Sequence, residues 1–272
     1  MNTTSSLRAA LPMYDWPEVT EANDKLWALI GEELRNAGLN APENLTRNIP
    51  YHALWCEPDC VFSQTCSRPF VDGVDQHVFA LATPIYAATG CQGIFNASQI
   101  VCRKDDPRQT VPDFRNATAV CNTEDSQSGY HSLRAYMVEK DLPAPFFGKA
   151  VMSGGHRQSV KMIAEGSVDI GAIDPVSWEL ANRFEPDSVQ SLRAIDQTPQ
   201  VPGLPYIINK QLISKEQAEV LTQNLIDILT NLPEPLQAQL KIIGAAKAKP
   251  EDYDFVRQLD SHAAAAGHEK FA

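Results

Sequence analysis

VMSGGHRQSVKMIAEGSVDIGAID, residues 151–174, holds an apolar run, a Ser-Gly-Gly turn, a histidine, a helical pattern, a glycine and a second apolar run closed by an acid. Val160, Ile163 and Ala164 recur at helical spacing within Ser159–Ala164, whereas Val168, Ile170, Ala172 and Ile173 read as a short buried strand. The segment is therefore a βαβ unit. In open α/β sheets small ligands lie beyond the carboxyl ends of the strands, where loops and helix N-termini converge. His156 stands at the first such end and Asp174 at the second, so both are expected to face one crevice.

Outward from this unit, the bounds are those of an ordinary globular chain. Its 272 residues suffice for one large domain or two modest ones, each closing its own core. The net charge is −11 with 43% hydrophobic residues. The acidity argues against a nucleic-acid partner, because a phosphate backbone demands a clustered Lys/Arg surface that is not visible in this sequence. No apolar stretch reaches the ~18 residues that cross a bilayer. Met1–Leu11 carries no apolar core of the kind an export signal needs.

All six cysteines, Cys56, Cys60, Cys66, Cys91, Cys102 and Cys121, fall in one region. An even, crowded set suits disulfides formed in an oxidising compartment, with the pairing left open. The alternatives are zinc, for which the spacing lacks a repeated CxxC knuckle, and buried thiols, the natural reading for Cys102 and Cys121 inside apolar strands.

Two rounds of strand, polar loop and helix surround these elements. In the first, a strand over Ser6–Pro12 leads into Tyr14 and Asp15, then a helix whose buried face is Val19, Ala22, Leu26, Trp27, Ile30 and Leu34. Val61–Gln64 delivers Gln64 and Thr65 to a similar edge, and a strand spanning Val78–Thr83 and Ile85–Tyr86 delivers Tyr86. Ser98–Arg103 is a further strand. The second round opens with the strand Ala117–Cys121, continues through a polar loop, and enters a helix over Tyr130–Lys140. Ser126, Gln127, Ser128 and Gly129 thus crowd a helix N-terminus. Free N–H groups and the positive end of the helix dipole suit an anion there, with simple N-capping as the alternative.

Beyond the βαβ unit, Pro175–Phe184 is expected to be helical and Val189–Ile195 a strand. Thr198–Pro205 is too proline-rich for regular structure and reads as a crossing segment before the strand Tyr206–Asn209. The remainder is expected to be helical: a helix opened by Ser214 with Gln217 closing a capping box, then Leu236–Ile243 and Asp252–His262.

The chemistry of these residues favours binding over turnover. There is no G-x-S-x-G, no G-x-G-x-x-G and no phosphate-binding loop with Lys, and the candidate groups are mostly neutral donors. No cofactor is implied. The order of Pro12-Met-Tyr-Asp, Ser63-Gln-Thr-Cys, Ser126-Gln-Ser-Gly-Tyr, Ser153-Gly-Gly-His-Arg-Gln-Ser, Gly171-Ala-Ile-Asp and Pro202-Gly-Leu-Pro resembles the phosphate/phosphonate-binding components of ABC transporters, in the type 2 periplasmic binding-protein class.

That resemblance implies an α/β fold of two lobes, each a mixed sheet flanked by helices, joined by two crossing hinge strands and closing on ligand. Residues 1–102 and 199–272 are expected to form lobe 1, and 103–198 lobe 2. It further implies that Ser126, Ser128, Gly129 and His156 hold phosphonate or phosphate oxygens, with Gln127 between them among the ligand-binding residues. Tyr14, Asp15, Gln64, Thr65 and Tyr86 come from the first lobe, and Asp174 completes the set. Gln127 departs from the Ser-Thr-Ser common at this place in the family, and two acids would repel a dianion, so a zwitterionic or weakly anionic solute is expected. The implied protein is a monomer that delivers solute to an ABC-transporter membrane permease, in the periplasm or, alternatively, the cytoplasm. Other readings are a ferric-ion binder using Tyr14, Tyr86, His156 and Asp174, a small hydrolase with His156 as base, and a sensor lobe.

Overall fold

The hydrophobic periodicities resolve into two compact units in a computed structural model that describes residues 7–50 and 54–269. One unit comprises Met1–Ala87 and Pro202–Pro250, the other Ala88–Val201 and Glu251–Ala272.

In the first unit, Arg8–Ala10 pairs in parallel with Cys60–Gln64, which pairs antiparallel with Tyr206–Asn209, itself antiparallel to Val78–Ala80. Ser6, the expected start of the first strand, lies outside the described residues. The helix Thr20–Asn36 buries Ala22, Leu26, Trp27, Ile30 and Leu34, the face read from the sequence. Trp27 leans on Phe62 at 5.7 Å between ring centroids, and Phe62 on Tyr206 at 5.2 Å, which ties helix to sheet. Helix Lys215–Thr230 begins with the expected capping box of Ser214 and Gln217.

The second unit is built on a five-stranded mixed sheet in the order Leu192–Gln197, Gln99–Arg103, Ile170–Ile173, Thr118–Cys121, Lys149–Met152. The βαβ unit is present as Lys149–Met152, the helix His156–Ala164 and Ile170–Ile173. Its two strands flank Thr118–Cys121, and both run parallel to it. Gly171 permits this close approach, since a Cβ there would lie 2.7 Å from Val120 Cγ1 and 2.9 Å from the Val120 carbonyl oxygen. Ile100, Phe114, Leu133, Met137, Phe146 and Ile170 fill one core on this sheet.

Several expectations are corrected. Gln99–Arg103 pairs with Ile170–Ile173 and Leu192–Gln197, so these residues join the second unit rather than the first. The C-terminal helix Asp254–Ala265 also belongs to the second unit, where it packs on Ser132–Glu139. The chain therefore passes between units three times, at 87/88, 201/202 and 250/251, not twice. Leu236–Ile243 is not one helix: Lys241 turns left-handed at φ 58°, ending the helix Glu234–Leu240 and releasing Ile242–Ala246 to pair with Thr83–Tyr86. Pro186–Val189 is a short helix, which delays the expected strand to Leu192–Gln197. In the proline-rich crossing segment only Val201–Pro202 is extended enough to be a strand. The disulfide expectation fails, because no two cysteines stand at disulfide distance. Cys102 and Cys121 are held apart on different strands of one sheet with Ile170–Ile173 between them. No described helix is long and apolar enough to cross a membrane.

Candidate functional site

Thr118–Cys121 ends at Asn122, and the chain then turns into a helix through one wide turn. Ser126 is the N-cap, its side chain accepting from the Gly129 N–H at 3.1 Å. The amides of Tyr130 and His131 both reach the Ser126 carbonyl, at 3.2 and 3.1 Å. This π-type turn over Gln127–His131 precedes the regular helix Ser132–Glu139. Such turns are rare within helices and concentrate at functional sites.

The second strand-to-helix joint lies beside it. Ser153 N donates to the Cys121 carbonyl and Gly154 N to the Asn122 carbonyl, each at 2.8 Å. Gly154 sits at φ +85°, a conformation that favours glycine, and this lets the chain reverse into the helix that starts at His156. The Ser153 hydroxyl meets that of Ser159 at 2.7 Å and fixes the turn onto the helix. The result brings His156 Nε2 to 2.9 Å from Ser128 Oγ, joining two residues read separately from the sequence.

Burial pushes the His156 imidazole down to about 4, so it is uncharged near pH 7. Arg157 and Lys161, on the same helix, are both engaged by Glu185, at 2.5 and 3.1 Å. Three polar atoms of the two joints are buried with no hydrogen-bond partner among the described residues: His156 Nδ1, Gln127 Oε1 and Asn122 Oδ1. A buried polar group left in this condition costs about 1–3 kcal/mol.

Asp174 is placed differently from His156. It is buried, and its Oδ1 accepts from the amides of Val176 and Ser177, both at 2.9 Å, capping the helix Pro175–Phe184. The cap explains why this acid follows the strand. Gln127 is buried as well, its amide donating to Ser132 Oγ at 3.1 Å.

In the first unit, Tyr14 and Tyr86 meet edge to face at 5.4 Å, and Gln64 Nε2 donates to Tyr86 Oη at 3.3 Å and to the Leu204 carbonyl at 3.0 Å. These three residues line a cavity of about 20 Å³, the size of one water. Thr65 follows Gln64, with its amide on the Pro205 carbonyl at 3.2 Å. Asp15 turns elsewhere: it accepts from Arg47 at 2.5 Å and from Asn23 at 2.9 Å. The Asp15–Arg47 pair lines a second cavity of about 330 Å³ with Pro12, Thr20 and Asn48. Arg47 was not singled out from the sequence, since nothing local links residues 32 apart. Among the described residues no group of three His, Cys, Asp or Glu side chains is placed to hold a metal ion.

Residues 62–253 match the family model described as ABC transporter, phosphonate, periplasmic substrate-binding protein. No curated protein matches the sequence. Among solved structures, a binding protein component of an ABC phosphonate transporter from Pseudomonas aeruginosa is 16% identical, with TM-score 0.71, covering 96% of this chain and 87% of that one. PhnD1 from Prochlorococcus marinus, in complex with methylphosphonate, is 17% identical, with TM-score 0.70, covering 94% and 97%. XAC2383 from Xanthomonas citri, bound to chloride ion, is 14% identical, with TM-score 0.70, covering 97% and 99%. At these identities the likeness is one of fold, that of two-lobed periplasmic binding proteins.

Proposed function

Since the chain belongs to the family of periplasmic substrate-binding proteins of phosphonate ABC transporters, we propose that its solute is a small phosphonate or phosphate whose oxygens sit on the Ser126–Gly129 turn and His156. The carrying observation is the Ser128–His156 pair at 2.9 Å, formed where two strand-to-helix joints meet. Ser128 and a neutral imidazole, at the positive end of a helix dipole, together make a donor set for an oxyanion.

The family works with ABC permease components and binds small solutes. On this reading the chain does so as a monomer in the periplasm and without turnover. Tyr14, Gln64, Thr65 and Tyr86 enter it as the first unit's candidate binding residues. Electrostatic repulsion no longer argues for an amine at Asp15, because Arg47 already answers that charge. Asp174 likewise spends Oδ1 on a helix cap, which disfavours a ferric site built on it.

Titration calorimetry with phosphate, methylphosphonate and 2-aminoethylphosphonate tests the proposal. Saturable binding of at least one, weakened about tenfold or more in His156→Ala, is expected from loss of a hydrogen bond to a charged group. Heat from none of the three, or unchanged affinity in the variant, defeats it. Turnover of a phosphate ester that vanishes in His156→Ala would favour the hydrolase instead.

A further inference from the structure

The family match ends at residue 253, and the helix Asp254–Ala265 that follows returns to the second unit and packs on the helix carrying the Ser126–Gly129 turn. The contact is polar at a decisive place. His131, the last residue of the wide turn, has Nδ1 3.0 Å from Asp260 Oδ1. Arg134, one helical turn later, donates to the same oxygen at 2.6 Å. Its guanidinium also grips the end of the chain, through the His268 carbonyl at 2.9 Å and the Glu269 carbonyl at 3.1 Å. His131 and Arg134 are both buried, at 7% and 5% exposure, whereas Asp260 comes from the outer helix. Tyr130, next to the turn's last residue, lies edge-on to His131 at 5.1 Å and under the Arg134 guanidinium at 5.4 Å.

A π-type turn strains the regular ladder and persists only where its surroundings determine it. Here the Ser126 carbonyl fixes its beginning through two amides, and Asp260 fixes its end through His131 and Arg134. We propose that Asp260 and Arg134 are positioning residues for anion binding: the C-terminal helix sets the geometry of the turn that presents Ser128, while touching no ligand itself. The inference rests on the anion-binding reading of that turn. It also makes solute affinity depend on a segment outside the family match.

The test uses the full chain and methylphosphonate. Asp260→Asn is expected to weaken calorimetric affinity roughly tenfold and to move the Ser128 and Gly129 amide resonances of the ligand-free protein. Asp260→Glu is expected to restore part of both. Leu259→Ala, on the same helix and buried without a polar role, is the control: it is expected to lower Tm while leaving affinity and those resonances in place. Parental affinity in Asp260→Asn overturns the proposal, as does an equal loss in Leu259→Ala. If the unmodified protein binds no anion, the solute reading is what fails. The amide resonances then still decide whether Asp260 shapes the turn.

Discussion

Gly129 has no side chain, and Asn122 uses the space: a Cβ on Gly129 would stand 1.9 Å from Asn122 Oδ1. Gly129→Ala is therefore expected to cost about 1–3 kcal/mol as an overpacked site and to weaken anion binding. Adding Asn122→Ala should recover most of both losses, a coupling that chemical denaturation and calorimetry of the four-protein cycle will measure. Independent single-site effects would contradict the arrangement. At His156 the prediction concerns pH. Its folded value, about 4, lies below the ordinary 6.5, so between these limits the unfolded chain binds the extra proton. Its contribution to stability is complete above pH 6.5 and declines as pH falls toward 4. The melting temperature of the parent should drop more steeply across that window than that of His156→Gln, and parallel curves would count against an imidazole held neutral by the fold. Ser128 and His156 were legible in the sequence because each follows a strand at the start of a helix. Asn122 was not, since clearance between side chains leaves no periodic trace.

Helix Lys215–Thr230 shows an element whose limits are written in its residues. Ser214 Oγ accepts from the Gln217 amide at 3.2 Å and Gln217 Oε1 accepts from the Ser214 amide at 2.9 Å, as the Ser-x-x-Gln pattern foretells. Ser214→Ala should cost about 1 kcal/mol of stability in urea unfolding and leave solute affinity unchanged, because the cap lies outside the candidate site. A change in affinity would show that this helix communicates with the binding residues. The same legibility fails at Ile242–Ala246. Its apolar residues continue the preceding helix in periodicity, and only the left-handed Lys241 and the partner strand Thr83–Tyr86 make it extended. It fails again at Gln127–His131, where a one-residue widening of the turn depends on tertiary contacts to His131 rather than on propensity.

At the scale of the molecule, alternating strands and helices gave the number of units, whereas their membership depended on pairing across long separations. Gln99–Arg103 and Asp254–Ala265 were assigned to the wrong unit because sheet registry and helix docking are decided by partners elsewhere in the chain. The cysteines follow the same logic. Their crowding in sequence suggested cross-links, yet the fold distributes them over both units, with Cys60 in one core and Cys102 and Cys121 in the other. Stability must then come from the two apolar cores, without closed loops to restrict the unfolded chain. Reductant is accordingly expected to leave the melting temperature unchanged. The thiolate is the reactive form, and burial pushes Cys60 and Cys91 up to about 12 and Cys121 higher still, whereas Cys56 is exposed. Iodoacetamide on the native protein should therefore modify Cys56 well before Cys60, Cys91, Cys102 or Cys121, and all six should react in denaturant whether or not reductant is present. Mass spectrometry of the peptides distinguishes the outcomes. A pair of cysteines that resists alkylation in denaturant until reductant is added, together with a lower melting temperature after reduction, would mean that a cross-link and not packing alone holds one of the units together.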